Sequence, residues 1–258
     1  MRARLLAWLL YAEVRRNLLM TLRYPLQPLC GMLLLAVLFG ATALGQAHLP
    51  GLALFERGER RVLAASFACW VVALGAIGHV PGELEDDIKA GLLEPIFLSR
   101  HPVALILLTR GLAGSLLGIL VGLALLAGLA AWAGAGLRLG PATVLGLVLL
   151  ELSLGGIGLA LAGLVILFKR AAGLAPLLQL GLAMLIARGV ATTASDTMLH
   201  YPIASAIEVF ARASFGTPLS ALAACVATGW ALFSLLAGLL VLAVCIHQAR
   251  HAGSLAHY

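Results

Sequence analysis

The sequence predicts an all-α membrane protein with six transmembrane helices, an interfacial helix before the first of them, and a short amphipathic helix at the membrane surface. Three observations predict it. The 258 residues are 62% hydrophobic and only 11% charged, and the mean hydropathy is +1.06. A soluble core of this size does not need that much apolar surface. Several apolar runs exceed the roughly 18 residues that mark a membrane-spanning helix. Residues 83–95 hold five of the eleven carboxylates, between two long apolar runs. Such a patch must reach water at a membrane surface.

In order along the chain, residues 1–25 come first. Leu10, Val14, Leu18 and Leu22 form a seam, and Arg15, Arg16 and Arg23 lie mostly opposite, although Leu19 and Met20 fall on the polar side. This pattern reads as a helix lying along the membrane. The apolar stretch inside it is short and is broken by Glu13, Arg15 and Arg16, so it is not read as a cleavable signal. The six predicted spans are 26–46, 63–80, 103–133, 142–168, 173–193 and 219–247. Residues 82–102 form a loop between the second and third spans. The segment 194–218 holds a short apolar stretch, 201–215, bounded by Pro202 and Pro218 and carrying Glu208 and Arg212. It is too short to span. Either it re-enters the outer leaflet under cover of protein or it is an amphipathic surface loop. The whole, 1–258, is one membrane domain.

Lys and Arg give the orientation. With the N-terminus in the cytoplasm, ten basic residues lie inside and five outside, while Arg110 and Arg188 fall within spans. This asymmetry predicts both termini inside and the acidic loop facing the cytoplasm. The basic residues are dispersed and form no stripe with aromatics, so the net charge of +6 fits orientation rather than nucleic-acid binding.

The acidic loop read as a helix has two faces. Glu83, Asp86, Asp87 and Glu94 fall on one, and Leu84, Ile88 and Leu92 on the other. A two-faced helix held against a membrane suits the docking of a soluble partner. A phosphate-binding loop needs Gly-Lys followed by Ser or Thr. The two lysines are followed by Ala90 and Arg170, so ATP hydrolysis is expected only on another polypeptide. Asp86 and Asp87 resemble paired carboxylates that hold magnesium in lipid-synthesis enzymes, but a second acidic cluster is missing. The seven histidines are scattered, and Cys30, Cys69, Cys225 and Cys245 sit in apolar runs without ligand spacing. No metal site is expected.

Two charges fall inside spans. Glu151 and Arg188 are both placed in the outer half of the bilayer, where an unpaired charge costs roughly 2.5–3.5 kcal/mol. They are expected to pair, to line a substrate path, or, for Arg188, to snorkel outward. Gly114, Gly118 and Gly122 repeat at four-residue spacing in the third span. That stripe lets another helix approach closely, within the chain or across a dimer.

Residues 90–99, Ala-Gly-Leu-Leu-Glu-Pro-Ile-Phe-Leu-Ser, followed by Ile106, Leu107, Leu108, Thr109 and Arg110, resemble the permease subunits of type-2 ABC exporters. Gly91, Leu93, Glu94, Ser99 and Arg110 stand at that family's motif positions. The proline that follows the Ser/Thr in the family is displaced here to Pro102, and Pro95 is an addition. The order of interfacial helix, six spans, coupling helix and short re-entrant segment is also similar, so the resemblance covers nearly the whole chain. The haem-exporting permeases of cytochrome c maturation share the motif.

The resemblance implies a permease in the cell inner membrane that pairs with a second copy or a sister subunit. Separate ABC ATPase subunits, which hold the ATP and Mg, would dock on the coupling helix through Leu84, Asp87, Ile88, Gly91, Leu92 and Glu94. No cofactor is expected in this chain itself. Drug, lipid, glycan carrier and haem all stay open as substrates. Two readings from other classes stand beside it: an integral membrane enzyme using Asp86 and Asp87, and a proton-coupled secondary transporter using Glu151.

Overall fold

The computed structural model describes residues 2–23, 37, 60–99, 101–133, 138–168, 173–191 and 202–251. Their elements are α1 (Arg2–Arg23), α2 (Arg60–Lys89), α3 (Leu93–Phe97), α4 (Val103–Ala133), α5 (Pro141–Phe168), α6 (Leu174–Ala191), α7 (Pro202–Phe215) and α8 (Ala221–His251). No strand occurs among the described residues. Among the described residues four stretches are long and apolar enough to cross a membrane: Ala64–Lys89, Val103–Leu129, Pro141–Phe168 and Ala221–His251. They match the second, third, fourth and sixth predicted spans. The first predicted span, 26–46, lies outside the described residues except for Val37. The fifth corresponds to α6, which has 18 residues.

Local chemistry sets several helix starts. Pro141 opens α5, where a missing N–H costs nothing, and Thr143 Oγ1 donates to the Arg138 carbonyl at 2.8 Å. Ser220 caps α8, its hydroxyl accepting from the Ala223 N–H at 3.1 Å. The Pro102 carbonyl accepts from the Leu105 N–H at 2.9 Å and begins α4. Gly91 and Gly216 have φ of 71° and 72°, and both sit just past a helix end, where glycine adopts the left-handed region without strain.

α2 and α5 form the interior. Their most apolar windows are 67% and 61% buried, against 17% for α4 and 28% for α8. One apolar cluster joins α2, α5 and α7 around Ile77, Leu147, Leu150, Ile207 and Phe210. A second joins the C-terminal parts of α2, α5 and α8 to α3 and the start of α4, around Leu84, Leu93, Leu107, Val165 and Leu242. The outer faces of α4 and α8 carry exposed residues such as Leu116, Leu120, Phe233 and Leu240. A lipid-facing surface has this character.

α5 and α8 make the closest helix pair. A Cβ placed on Gly156 would overlap the Ser234 carbonyl, and one on Gly238 would overlap the Gly156 carbonyl. Beside them, the Ser234 hydroxyl donates to the Ser153 carbonyl at 2.6 Å. Elsewhere on α5, a Cβ on Gly146 would lie 2.5 Å from the Phe210 Cα of α7, and one on Gly158 2.5 Å from the Ala76 carbonyl of α2. Three neighbours thus touch α5 nearly backbone to backbone.

The structure corrects one expectation and decides against one of two alternatives left open for another segment. The acidic segment is not a separate short helix, because α2 runs unbroken from residue 60 to 89 with Pro81 inside it. Proline removes one intrahelical hydrogen bond, a loss that a packed membrane helix tolerates. The amphipathic turns are therefore the end of a long helix, followed by a tight turn at Gly91 and the five-residue α3. Residues 202–215 are no surface loop. They form α7, in which Ala204, Ser205, Ala206, Ile207, Val209 and Phe210 are all 0% exposed. At 14 residues α7 is about 21 Å long, shorter than a bilayer core of about 30 Å. Glu208 is held by Arg212 at 2.6 Å, one turn on.

Gly238→Ala should destabilise the protein by about 1–3 kcal/mol, since the added methyl meets backbone rather than a flexible side chain. Gly229, on the same helix, has nothing within 4 Å of its would-be Cβ, so Gly229→Ala should be neutral or stabilising by up to about 1 kcal/mol. Thermal unfolding in detergent compares the two. Equal midpoints would mean that the α5–α8 contact does not limit stability.

Candidate functional site

Two polar features share one flank of α2. The first is a charge network at its C-terminal end. Arg110 of α4 is buried, its side chain 7% exposed, and its Nη1 donates to Asp87 Oδ2. Its Nε lies 3.3 Å from Glu13 Oε1 of α1 and 3.9 Å from Glu83 Oε2. Arg16 of α1 bridges the same acids, with Nη2 2.6 Å from Glu83 Oε2 and Nη1 3.3 Å from Glu13 Oε2. Five side chains from three helices thus form one cluster of two guanidiniums and three carboxylates. The periodicity explains it: Glu83 and Asp87 are four residues apart on one face of α2, and Glu13 and Arg16 are three apart on α1.

α1 therefore meets the protein through its polar side. Val14, Leu18 and Leu22 of the predicted seam are exposed, together with Trp8 and Tyr11. That leaves an apolar, aromatic-bearing face turned away from the protein, as in a helix lying at a bilayer interface.

The second feature is a cavity of ≈ 20 Å³ between α2, α4, α5 and α8, with His79, Ser115 and Glu151 on its wall. Glu151 is 2% exposed. It takes a hydrogen bond from Ser115, but its Oε2 is buried with no hydrogen-bond partner. His79 Nε2 is likewise buried and unpartnered, and its nearest acid is Glu83 Oε1 at 3.6 Å, beyond hydrogen-bond range. The glycine stripe on α4 shapes this wall. A Cβ on Gly114 would run into the His79 ring, one on Gly118 would lie 3.2 Å from Glu151 Oε1, and one on Gly122 2.5 Å from Val72. Gly114, Gly118 and Gly122 thus serve contacts to α2 and α5 inside this chain.

The remaining predicted residues divide between interior and surface. Leu84 is 0% exposed and Asp87 is committed to Arg110, so neither is offered to a partner. The reason is that α2 continues past Pro81 and keeps that face against α4 and α5. Ile88 is half-buried beside the second apolar cluster. Gly91, Leu92 and Glu94 are exposed, Leu92 at 49%, as is Leu98 at 78%. Asp86 and Asp87 do not converge: Asp86 is exposed and 3.9 Å from Lys89, while Asp87 faces inward. Arg188 belongs to α6, but its side chain lies outside the described residues, and with it the expected pairing with Glu151. Among the described residues no group of three or more His, Cys, Asp or Glu is arranged to hold a metal ion.

The sequence reading missed the clamp on α1 and the place of His79. The spacing of Glu13 and Arg16 beside a buried-span arginine was a usable signal for the clamp. Nothing in the spacing of His79 marks it.

Fold and site together define a chain that is helical throughout its described secondary structure, with four helices among the described residues fit to cross a membrane, a clamped N-terminal helix and a polar cavity among its long helices. No known family, curated protein or solved structure matches it.

Arg110→Ala should cost about 3–5 kcal/mol, because it leaves the inward-facing Asp87 without its cation, while Glu13 and Glu83 keep only Arg16. The double variant Arg110→Ala/Asp87→Ala should recover part of that loss. Detergent thermal unfolding reads both effects. A wild-type midpoint for the single variant would show that the network adds nothing to stability.

Proposed function

We propose that this chain is the membrane-spanning permease subunit of an ATP-driven exporter of the type-2 ABC class. It sits in the cell inner membrane with both termini cytoplasmic. It forms the substrate path with a second permease and is driven by separate ATPase subunits that hold ATP and Mg. The observation that carries this reading is the turn 90–99. It joins two long apolar helices, bears the motif residues Gly91, Leu93, Glu94 and Ser99, and exposes a compact mixed surface of Leu92, Glu94 and Leu98.

The arrangement suits force transmission. Leu93 is 2% exposed and anchors the turn, while the Asp87–Arg110 contact ties the end of α2 to α4. A push on the turn is delivered to two long helices rather than absorbed locally. ATP would act by population shift, binding one arrangement of the paired ATPases more tightly than the other. Because Leu84 and Asp87 are used inside the chain, docking rests on Leu92, Glu94 and Leu98, with Asp86 at the rim. An apolar centre with charged edges supplies both affinity and register.

Leu92→Asp together with Leu98→Asp should abolish co-purification of the ATPase while the permease still inserts. Leu84→Asp should instead lower the yield of the permease itself. Purified alone, the permease should hydrolyse ATP no faster than a mock preparation. Retention of the ATPase at wild-type stoichiometry by the double variant would move the docking surface elsewhere.

A further inference from the structure

The cavity beside Glu151 is not needed for docking a motor, and its chemistry points elsewhere. Two buried polar atoms, Glu151 Oε2 and His79 Nε2, have no hydrogen-bond partner, and both residues line the same cavity. Orphaned polar atoms are uncommon in folded proteins, and each calls for a cause. The stripe on α4 fixes their spacing. Gly114 underlies His79, and Gly118 underlies Glu151. The two glycines are one turn apart, about 6 Å along the α4 axis, and each group reaches the cavity beside its own glycine. No hydrogen bond joins His79 Nε2 to Glu151 Oε2, which leaves a place for one bridging molecule. The volume of ≈ 20 Å³ holds a single water, which needs roughly 10–15 Å³ and two or more polar partners. Ser115 supplies a third.

We propose that Glu151 is a proton-binding site, loaded through one water in this cavity from His79. The imidazolium gives its Nε2 proton to the water. The water passes one of its own protons to Glu151 Oε2, leaving a neutral imidazole and a carboxylic acid. Glu83, 3.6 Å from His79 on the next turn of α2, connects the imidazole to the charge network at the helix end. A sodium ion fits less well, because it wants about six oxygen ligands and this wall offers the carboxylate, one hydroxyl and an imidazole among apolar side chains.

The charged surroundings are sparse. α2 brings His79 and Glu83, and α4 brings Ser115, with Arg110 further along and held by its own acids. On α7, Glu208 and Arg212 pair with each other. α8 has no ionisable residue between Trp230 and Leu240. α6 carries Arg188. Loading exchanges a buried charge for a neutral acid, so the packing of α2, α4 and α5 around the cavity responds to the proton. This site stands whether or not ATP drives the protein.

Infrared difference spectroscopy of the full chain in nanodiscs, between acid and alkaline buffer, tests it. Wild type should show a protonated-carboxyl C=O band that Glu151→Gln removes and Ser115→Ala shifts, the latter covering the case in which the glutamine variant does not fold. After a pH jump, His79→Gln should slow the appearance of the band roughly a hundredfold. Four results would overturn the proposal: no such band at any pH, a band indifferent to both substitutions, loading at the wild-type rate without His79, or loss of the band on adding sodium at constant pH.

Discussion

The close approach of main chains around α5 is the constraint on which the rest of the structure depends. In lipid there is no hydrophobic drive for helices to associate, so packing and interhelical hydrogen bonds must hold them together. α5 meets α8 at Gly156 and Gly238, α7 at Gly146 and α2 at Gly158, each time with room for a hydrogen where a methyl would overlap. Backbones this near bring whole side-chain rows into contact, and the two apolar clusters follow from that. The same geometry sets the polar cavity. Glu151 belongs to the helix that the glycines hold fast, so its carboxylate has a fixed position against α4.

A second constraint acts at the end of α2, where five charged groups from three helices satisfy one another. Buried charges of this kind are weak evidence of stability, because desolvation offsets much of the attraction. Their effect is on placement. Arg110 of α4 accepts only an arrangement in which α1 and α2 present their acids to it together. The outcome is an N-terminal helix bound by its polar side and apolar towards the outside, the reverse of an amphipathic helix packed on a soluble core.

How much of this was legible in the sequence varies with the physics behind each element. The long helices are readable because runs such as 103–133 and 142–168 leave no alternative in water or in lipid. The stripe at Gly114, Gly118 and Gly122 is readable from its spacing, although the spacing does not name its partners. The acidic turns read as a separate amphipathic helix because the carboxylates follow directly on the apolar run that ends at residue 80, and two-facedness says nothing of what lies opposite each face. The pattern alone therefore assigns Leu84 and Asp87 to a docking partner, whereas both are used inside the chain. The glycines that matter most, Gly156 and Gly238, are hidden among 29 glycines, since close approach is a property of pairs. The cavity is illegible for the same reason: His79 and Glu151 line one space only because two successive turns of α4 lie against them.

The clamp on α1 also carries a statement about time. Glu13 and Arg110 are 97 residues apart in sequence, and Arg16 and Glu83 are 67 apart. A chain made from its N-terminus holds α1 long before either partner exists, and the clamp cannot close until the start of α4 has been synthesised. Until then α1 has no charged partner from the rest of the chain, and what it offers its surroundings is its exposed apolar face of Trp8, Leu18 and Leu22. The order of synthesis thus separates the two sides of one helix: the apolar side is complete from the start, and the polar side waits for its acid and its arginine.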